Sequence, residues 1–479
     1  MNHLPLHSYQ KSPIASMECA LTCSASAKSA LLTYVFLVHV KHFSDNLKSI
    51  ERRPRVCIVG GAFGGLYTAL RLESLVWPDD KKPQVVLIDQ SERFVFKPLL
   101  YELLCGEVEA WEIAPQFSDL LSNTDVRFFK DRVKCLYPCD HLGTNAPTAG
   151  TVQLESGLLI EYDWLVLAIV AEAKLDIVPG AADYALPFYT LEDAHRVDKK
   201  LRKLEPATIS ERLQEKGIVQ AINVEKIILS NAPAGNRDAA LKVLSSRKVQ
   251  LVLGYFVLRI TKGVESQTSD AESKTMDPAA DHSESIILEL QPAERGLQGQ
   301  IIRADIVLWT IGSKPLLPEL EPSDKPYNIP LNARGQAETD ETLRVKGHPR
   351  IFAVGDSSTL RDKNGKLLPA TAQVAFQQAD FAGWNLWAAI NDRPLLPFRY
   401  QNLGEMMTLG RYDAAVSPSF TDGLTLEGFV GHTARKMAYL IRLPTDQHRV
   451  KVGISWLLKS TADSVAPIQT MLAKAQSGS

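Results

Sequence analysis

The run Arg55-Val-Cys-Ile-Val-Gly-Gly-Ala-Phe-Gly-Gly-Leu66 decides how this chain is read, and Asp89 closes the apolar run that follows it. Val56 to Val59 has the pattern of a buried strand, the glycines make a tight turn, and Leu66 to Leu75 reads as an amphipathic helix. Strand, glycine turn and helix in that order open a dinucleotide-binding βαβ unit. The helix N-terminus presents unpaired N–H groups and the positive end of its dipole to a pyrophosphate. A second strand, Gln84 to Ile88, ends at Asp89, where a carboxylate can accept both ribose hydroxyls of an adenosine. The plainer alternative is an α/β turn whose glycines merely permit positive φ. Gly60, Gly61, Ala62, Gly64 and Gly65 are the candidate cofactor-binding residues of this turn. Counted from Gly60, the fingerprint positions are Gly60, Ala62 and Gly65, so the middle glycine is alanine. Backbone approaches the pyrophosphate there, and a methyl weakens binding without necessarily abolishing it.

Around this stretch, 479 residues leave room for about three domains and a large core. Hydrophobic content of 45% and charged content of 23% are those of a globular protein. A formal net charge of -2 gives no pointer to nucleic acid. Six cysteines in this length do not form a disulfide framework, and no CxxC or His cluster accompanies Cys19 and Cys23 or Cys135 and Cys139. They read as ordinary thiols, with no metal site. Ala30 to Val40 falls short of the ~20 apolar residues a spanning helix needs. Residues 1–53 read as a targeting segment: Ser and Lys recur and Glu18 is the sole acid before Asp45, although the arginines expected of a transit peptide are absent before Arg52.

Further along, strands are expected at Val126 to Phe129 and Val152 to Leu154, with a hairpin-like pair, Leu158 to Tyr162 and Trp164 to Ile169, around Asp163. A second strand and glycine loop should follow in a protein with two dinucleotide domains, but Gly180, Gly217 and Gly235 are isolated. Instead a helix over Thr190 to Leu204 runs through Glu205-Pro206 into helical Ala207 to Leu213, so two helices abut where a βα turn belongs. A strand at Lys226 to Leu229, a helix at Asn236 to Arg247 and a strand at Val249 to Leu253 look like the rest of a nucleotide domain. Gly263 to Ser285 reads as a solvated loop, and Ile286 to Leu290 and Ala304 to Gly312 as strands. The second of these ends in the turn Gly312-Ser-Lys-Pro315, which brings backbone close to some neighbour.

The strand Arg350 to Asp356 delivers Gly355 and Asp356 at its carboxyl end, where α/β folds bind ligands. A strand followed by an Asp-capped helix is the alternative. Gln373 and Gln377 are four apart and share a helix face, so their amides could hydrogen-bond a carbonyl-bearing ring; surface glutamines are the alternative. From Phe398 onward basic and apolar residues interleave, as in a segment that lies on an anionic membrane surface. A homodimer interface or a domain cap would show the same pattern.

Ile58-Val-Gly-Gly-Ala-Phe-Gly-Gly65, Phe352-Ala-Val-Gly-Asp356, Ala372-Gln-Val-Ala-Phe-Gln-Gln378 and Leu403-Gly-Glu-Met-Met-Thr-Leu-Gly410 together resemble the type II (alternative) NAD(P)H:quinone oxidoreductases, in particular their plant type C branch. The resemblance implies an α/β fold with two Rossmann-type dinucleotide-binding domains and a C-terminal membrane-associating region. It implies that FAD takes a hydride from NAD(P)H and passes two electrons to a prenylated quinone of plastoquinone, naphthoquinone or ubiquinone type, without pumping protons. Gly60, Gly65, Asp89 and Asp356 would then lie on FAD, with Gln373 and Gln377 near flavin and quinone as the candidate catalytic residues. The family's addresses are the plastid membrane or plastoglobule surface and, alternatively, the mitochondrial inner membrane. The corresponding parts are a targeting segment (1–53), an FAD domain in two pieces (54–170 and 311–397), an incomplete NAD(P)H domain (171–310) and a membrane-associated region (398–479).

Two departures accompany it. The family's second glycine loop and its glutamate belong between Leu204 and Ala207, where about 20 residues of a ~30-residue βαβ unit are missing. Val170 also stands where the family has glycine. Loss of a central strand removes ladder hydrogen bonds on both sides and opens the domain core. The alternative function is therefore a flavin-binding pseudoenzyme, or a splice or gene-model variant unable to use NAD(P)H. A disulfide reductase on the same plan would need a close cysteine pair on the first flavin helix, and no Cys occurs between Cys57 and Cys105.

Overall fold

The computed structural model describes residues 52–460, apart from 79–80, 141–147, 204–217, 264–284, 316, 318, 321–328, 411 and 422. The expected targeting segment up to residue 51, Cys19 and Cys23, the helical reading of 207–213 and most of the expected loop over 263–285 lie outside the described residues. Everything below concerns the unit that starts at Pro54.

Its centre is a parallel five-stranded sheet of β1 (Arg55–Val59), β2 (Gln84–Asp89), β3 (Arg127–Lys130), β4 (Trp164–Leu167) and β5 (Ile351–Ala353), in the spatial order β5-β4-β1-β2-β3. Parallel strands covered on both faces read as continuous apolar runs, as Val-Cys-Ile-Val does here. Ile58 and Phe352 face one core, with Leu66, Leu72 and Leu386 of the covering helices α1 (Phe63–Ser74) and α2 (Ala372–Ile390). Cys57, Val59 and Ala353 face the other, under the sheet formed by Val133–Pro138, Gly150–Leu154 and Leu159–Tyr162. Cys57, Cys105, Cys135 and Cys139 remain thiols.

Leu159–Tyr162 and β4 do not form the expected hairpin. They part at Asp163 into two different sheets, because Asp163 is tied to Arg55: the Arg55 N–H donates to its Oδ2 at 2.8 Å, so β4 enters beside β1 in parallel. The expected strand at 226–229 is likewise corrected. The strand is Gln220–Asn223, parallel to Gln250–Leu253, while Leu229 takes φ 50° and turns the chain, leaving Ile227 and Leu229 exposed. Between these strands runs helix α3 (Ala234–Ser246). The single strand expected over 304–312 is two, Gln300–Ala304 and Leu308–Trp309, which pair with different partners.

The second domain is thus represented by two separate parallel pairs, Gln220–Asn223 with Gln250–Leu253, and Leu186–Pro187 with Leu308–Trp309, plus an antiparallel sheet of Tyr255–Lys262, Ile286–Pro292 and Gln300–Ala304. Among the described residues no strand joins the two pairs. The C-terminal part packs back on the first domain through helix α4 (Gly428–Arg442) and a helix over residues 446–460. Leu443 and Val452 enter the same core as α1, and Arg435, 1% exposed, pairs with Glu102. Lys459 reaches Glu112 at 3.2 Å.

Candidate dinucleotide site

The turn between β1 and α1 is built so that only glycine fits at its two ends. Gly60 has φ 100°, and a Cβ there would lie 2.4 Å from the Ala168 carbonyl oxygen; one on Gly65 would lie 1.7 Å from the Gly60 carbonyl oxygen. Side chains at Gly61 and Gly64 would run into Phe117 and Val354. Ala62 is the N-cap of α1 with φ -78°, an ordinary conformation for an L-residue, so its methyl carries no backbone strain. The first N–H groups of α1 have no partner within their own helix.

Gly60, Gly61 and Ala62 open onto a cleft of about 980 Å³ that also takes in Asp89, Lys97, Val170, Ala171 and Tyr189. That size falls at the upper end of the roughly 300–1,000 Å³ of small-molecule and cofactor sites. Asp89 accepts from the Gly61 N–H through Oδ2 at 2.6 Å and from the Ser91 N–H through Oδ1 at 2.7 Å. Each oxygen keeps a second lone pair for a ribose hydroxyl. Burial pushes the Asp89 carboxyl upward, opposed by these two donors and by Lys97.

Asp356 lies beyond the end of β5, on a short 3-10 turn, Gly355–Ser357. Its Oδ2 accepts from the N–H of Ala171 in the cleft wall at 3.0 Å. It does not cap the next helix; Thr371 does, accepting from the Val374 N–H. Gly355, at φ 62°, donates its N–H to Gln378 Oε1 at 2.7 Å. Gln378, 1% exposed, is thus the residue that fixes the turn carrying Asp356. The sequence signal for it was present: Gln378 falls in the buried stripe of α2 with 375, 379, 382, 385 and 386, where it and Asn385 are the two amides.

Gln373 and Gln377 share a face as expected, but their amides are engaged elsewhere. Gln373 Oε1 accepts from Tyr400 OH at 2.6 Å and the Leu403 N–H at 2.9 Å, and its Nε2 donates to the Gly404 carbonyl. Gln377 Nε2 donates to the Gln401 carbonyl at 2.9 Å, and its Oε1 accepts from the Gln401 N–H. Both strap segment 400–404 to α2, and neither lines the cleft. The turn at Gly312 also finds its neighbour: Ser313–Pro315 pairs antiparallel with Ala171–Ala173 at the cleft wall.

Lys97 escaped the sequence reading. It opens the 3-10 turn Lys97–Leu99, lines the cleft, and holds Nζ 5.4 Å from the centre of the Tyr189 ring. Among the described residues no carboxylate comes within ion-pair distance of it. Burial pushes its ammonium downward, opposed by Asp356, Asp193, Glu172 and Asp89.

A glycine cradle that a Cβ would fill, the N-terminus of α1 beside it, Asp89 in the cleft and Asp356 hydrogen-bonded to its wall fit an FAD. Residues 54–379 match the pyridine nucleotide-disulphide oxidoreductase model. The chain is 67% identical to alternative NAD(P)H-ubiquinone oxidoreductase C1, chloroplastic/mitochondrial, of Arabidopsis thaliana, over 90% of this chain and 85% of that protein. It belongs to the type II NAD(P)H:quinone oxidoreductase family. Demethylphylloquinone reductase NdbB of Synechocystis is 37% identical over 86% of this chain and 98% of its own length. Among solved structures, NDH2 from Plasmodium falciparum superposes with a TM-score of 0.65 at 15% identity, over 85% of this chain and 98% of that one, which shows the shared fold. The Arabidopsis match runs over 457 aligned positions but draws on 90% of these 479 residues, about 431, so roughly 26 positions have no residue here.

Proposed function

We propose that this chain is an FAD-dependent oxidoreductase that passes electrons from NAD(P)H to a prenylated membrane quinone without pumping protons. The observation that carries the reading is that Gly60, Gly61, Ala62 and Asp89 line one cleft, with Asp356 hydrogen-bonded to Ala171 of its wall, in a chain so close to a named quinone oxidoreductase. Bound FAD supplies a two-electron acceptor and donor. The chain's own residues do the holding. Gly60, Gly61, Ala62, Gly64 and Gly65 and the start of α1 seat the pyrophosphate. Asp89 receives the adenosine ribose, and Asp356, aimed by the Ala171 N–H, receives the ribityl hydroxyls. Gln373 and Gln377 act by position, fixing segment 400–404 ahead of the strand Gly404–Gly410.

A lipid-soluble acceptor requires a docked enzyme. Val430, Met437 and Ile441 are exposed along one side of α4, and Val450, Ile454, Leu457 and Leu458 along the helix over 446–460. Lys451 and Arg442 flank these residues, so the surface suits an anionic lipid interface and is read as that in preference to a homodimer contact. No helix among the described residues is long and apolar enough to cross a membrane. The names of the Arabidopsis and Synechocystis relatives support a plastid address and a naphthoquinone-type acceptor, with the mitochondrial inner membrane and ubiquinone as the second address and acceptor. The test is quinone-dependent NAD(P)H oxidation by FAD-loaded protein on liposomes. Oxidation should rise with quinone content; a rate independent of quinone would exclude it as the acceptor.

A further inference from the structure

Lys97 is directed into the cleft by a rigid local frame. Phe94 and Phe96 on its N-terminal side are 1% and 2% exposed, Pro98 follows it, and the Phe96 ring meets Phe63 edge-on at 5.2 Å. Phe63 directly follows Ala62 in the glycine turn, so this packing fixes Lys97 relative to the dinucleotide cradle. Tyr189 covers the ammonium from one side. The result is a cation on the cleft wall with no anion in contact among the described residues.

FAD brings two anionic groups. The pyrophosphate already has the glycine turn and the α1 dipole. The second anion arises only on turnover: a hydride from NAD(P)H gives the flavin ring two electrons and one proton, leaving NAD(P)+ and one net negative charge on the ring. Delivery of two electrons and that hydrogen to the quinone, with one proton from water, completes the quinol. Resting on the FAD assignment above, we infer that Lys97 contacts the flavin ring and holds the negative charge the ring acquires on reduction. Its strongest carboxylate neighbour, Asp356, marks the ribityl end of the site and agrees with this placing, while Asp89 at the adenosine end is the weakest.

Sulfite tests this without turnover, because it adds to the oxidised ring and leaves a negative charge on it. Lys97→Met should weaken sulfite binding by about tenfold or more, and an equal change in the reduced-to-oxidised affinity ratio lowers the two-electron potential by about 30 mV. Lys97→Arg should keep both near the parent values. Parent-like sulfite affinity and potential in Lys97→Met would overturn the inference. So would a Lys97→Met protein that sheds FAD yet shows the parent potential once reloaded, since that assigns the lysine to the pyrophosphate. The unmutated holoprotein gives an independent reading: its dithionite-reduced flavin should keep the anionic spectrum to well below the pH at which free reduced flavin protonates, and a neutral spectrum there would equally sink the idea. If the parent protein binds no FAD at all, the failure belongs to the functional reading and is seen before any variant is made.

Discussion

Ala62 shows what one methyl can decide. Its φ of -78° suits alanine, so the methyl at the middle fingerprint position leaves the fold intact. Ala62→Gly should therefore tighten FAD severalfold, and should add a few tenths of a kcal/mol at the N-cap, measured by fluorescence titration and thermal unfolding. Gln378 is the opposite case, a residue whose effect on ligand runs through the fold. Gln378→Leu strands the Gly355 N–H in the interior, with an expected loss of about 1–3 kcal/mol in stability and lower flavin occupancy through a displaced Asp356. The strand end at Asp89 and the glycine turn were legible in the sequence because both are local: they announce themselves within a few residues. Gln373 and Gln377 share the expected helix face, but a shared face does not say what stands opposite it, and here that is the backbone of 400–404.

At the level of elements, α4 has two incompatible faces. Inward it carries Arg435 against Glu102, Lys436 within 3.7 Å of Glu107, and His432 within 4.0 Å of the same carboxylate; outward it carries Met437 and Ile441. Deleting the region from Phe429 would remove part of the first domain's core, so point changes are the proper probe of docking. Ile441→Glu with Leu457→Glu should each remove about 1.5–3 kcal/mol of interfacial burial and release the protein from liposomes with its flavin retained. His432, facing Glu107, Lys436, Tyr412 and Asp413, is pushed down to about 4 by burial first and Lys436 second. The unfolded chain binds its proton near the ordinary 6.5 and the folded chain only near 4, so stability falls as pH drops through that interval. The melting temperature should decline over this range, and His432→Gln should flatten the decline, leaving the share of His448, which burial also lowers. The 226–229 segment illustrates why elements were less legible than residues: an apolar run fixes no strand by itself, and Gln220–Asn223 won because it had Gln250–Leu253 to pair with.

At the scale of the whole molecule, the described residues form one continuous five-stranded parallel sheet in the first domain and several separate small sheets between 171 and 310. The five-stranded sheet, its two covering layers and the cleft follow from patterns legible in the chain, because each strand is a continuous buried run. The Gln220–Asn223 and Leu186–Pro187 pairs are separate among the described residues, while the expected abutment of two helices at 204–207 lies outside them. If the second glycine loop is wanting, as the sequence leads one to expect, NAD(P)H should show a raised KM relative to the Arabidopsis relative, compared side by side.

The decisive measurement is an anaerobic titration of purified, FAD-loaded protein with NADH and then NADPH, following the visible flavin absorbance. Bleaching by either nucleotide, with recovery on adding a quinone, is the expected result. A flavin that stays oxidised with both nucleotides and bleaches with dithionite would contradict the assignment of this chain as an NAD(P)H:quinone oxidoreductase.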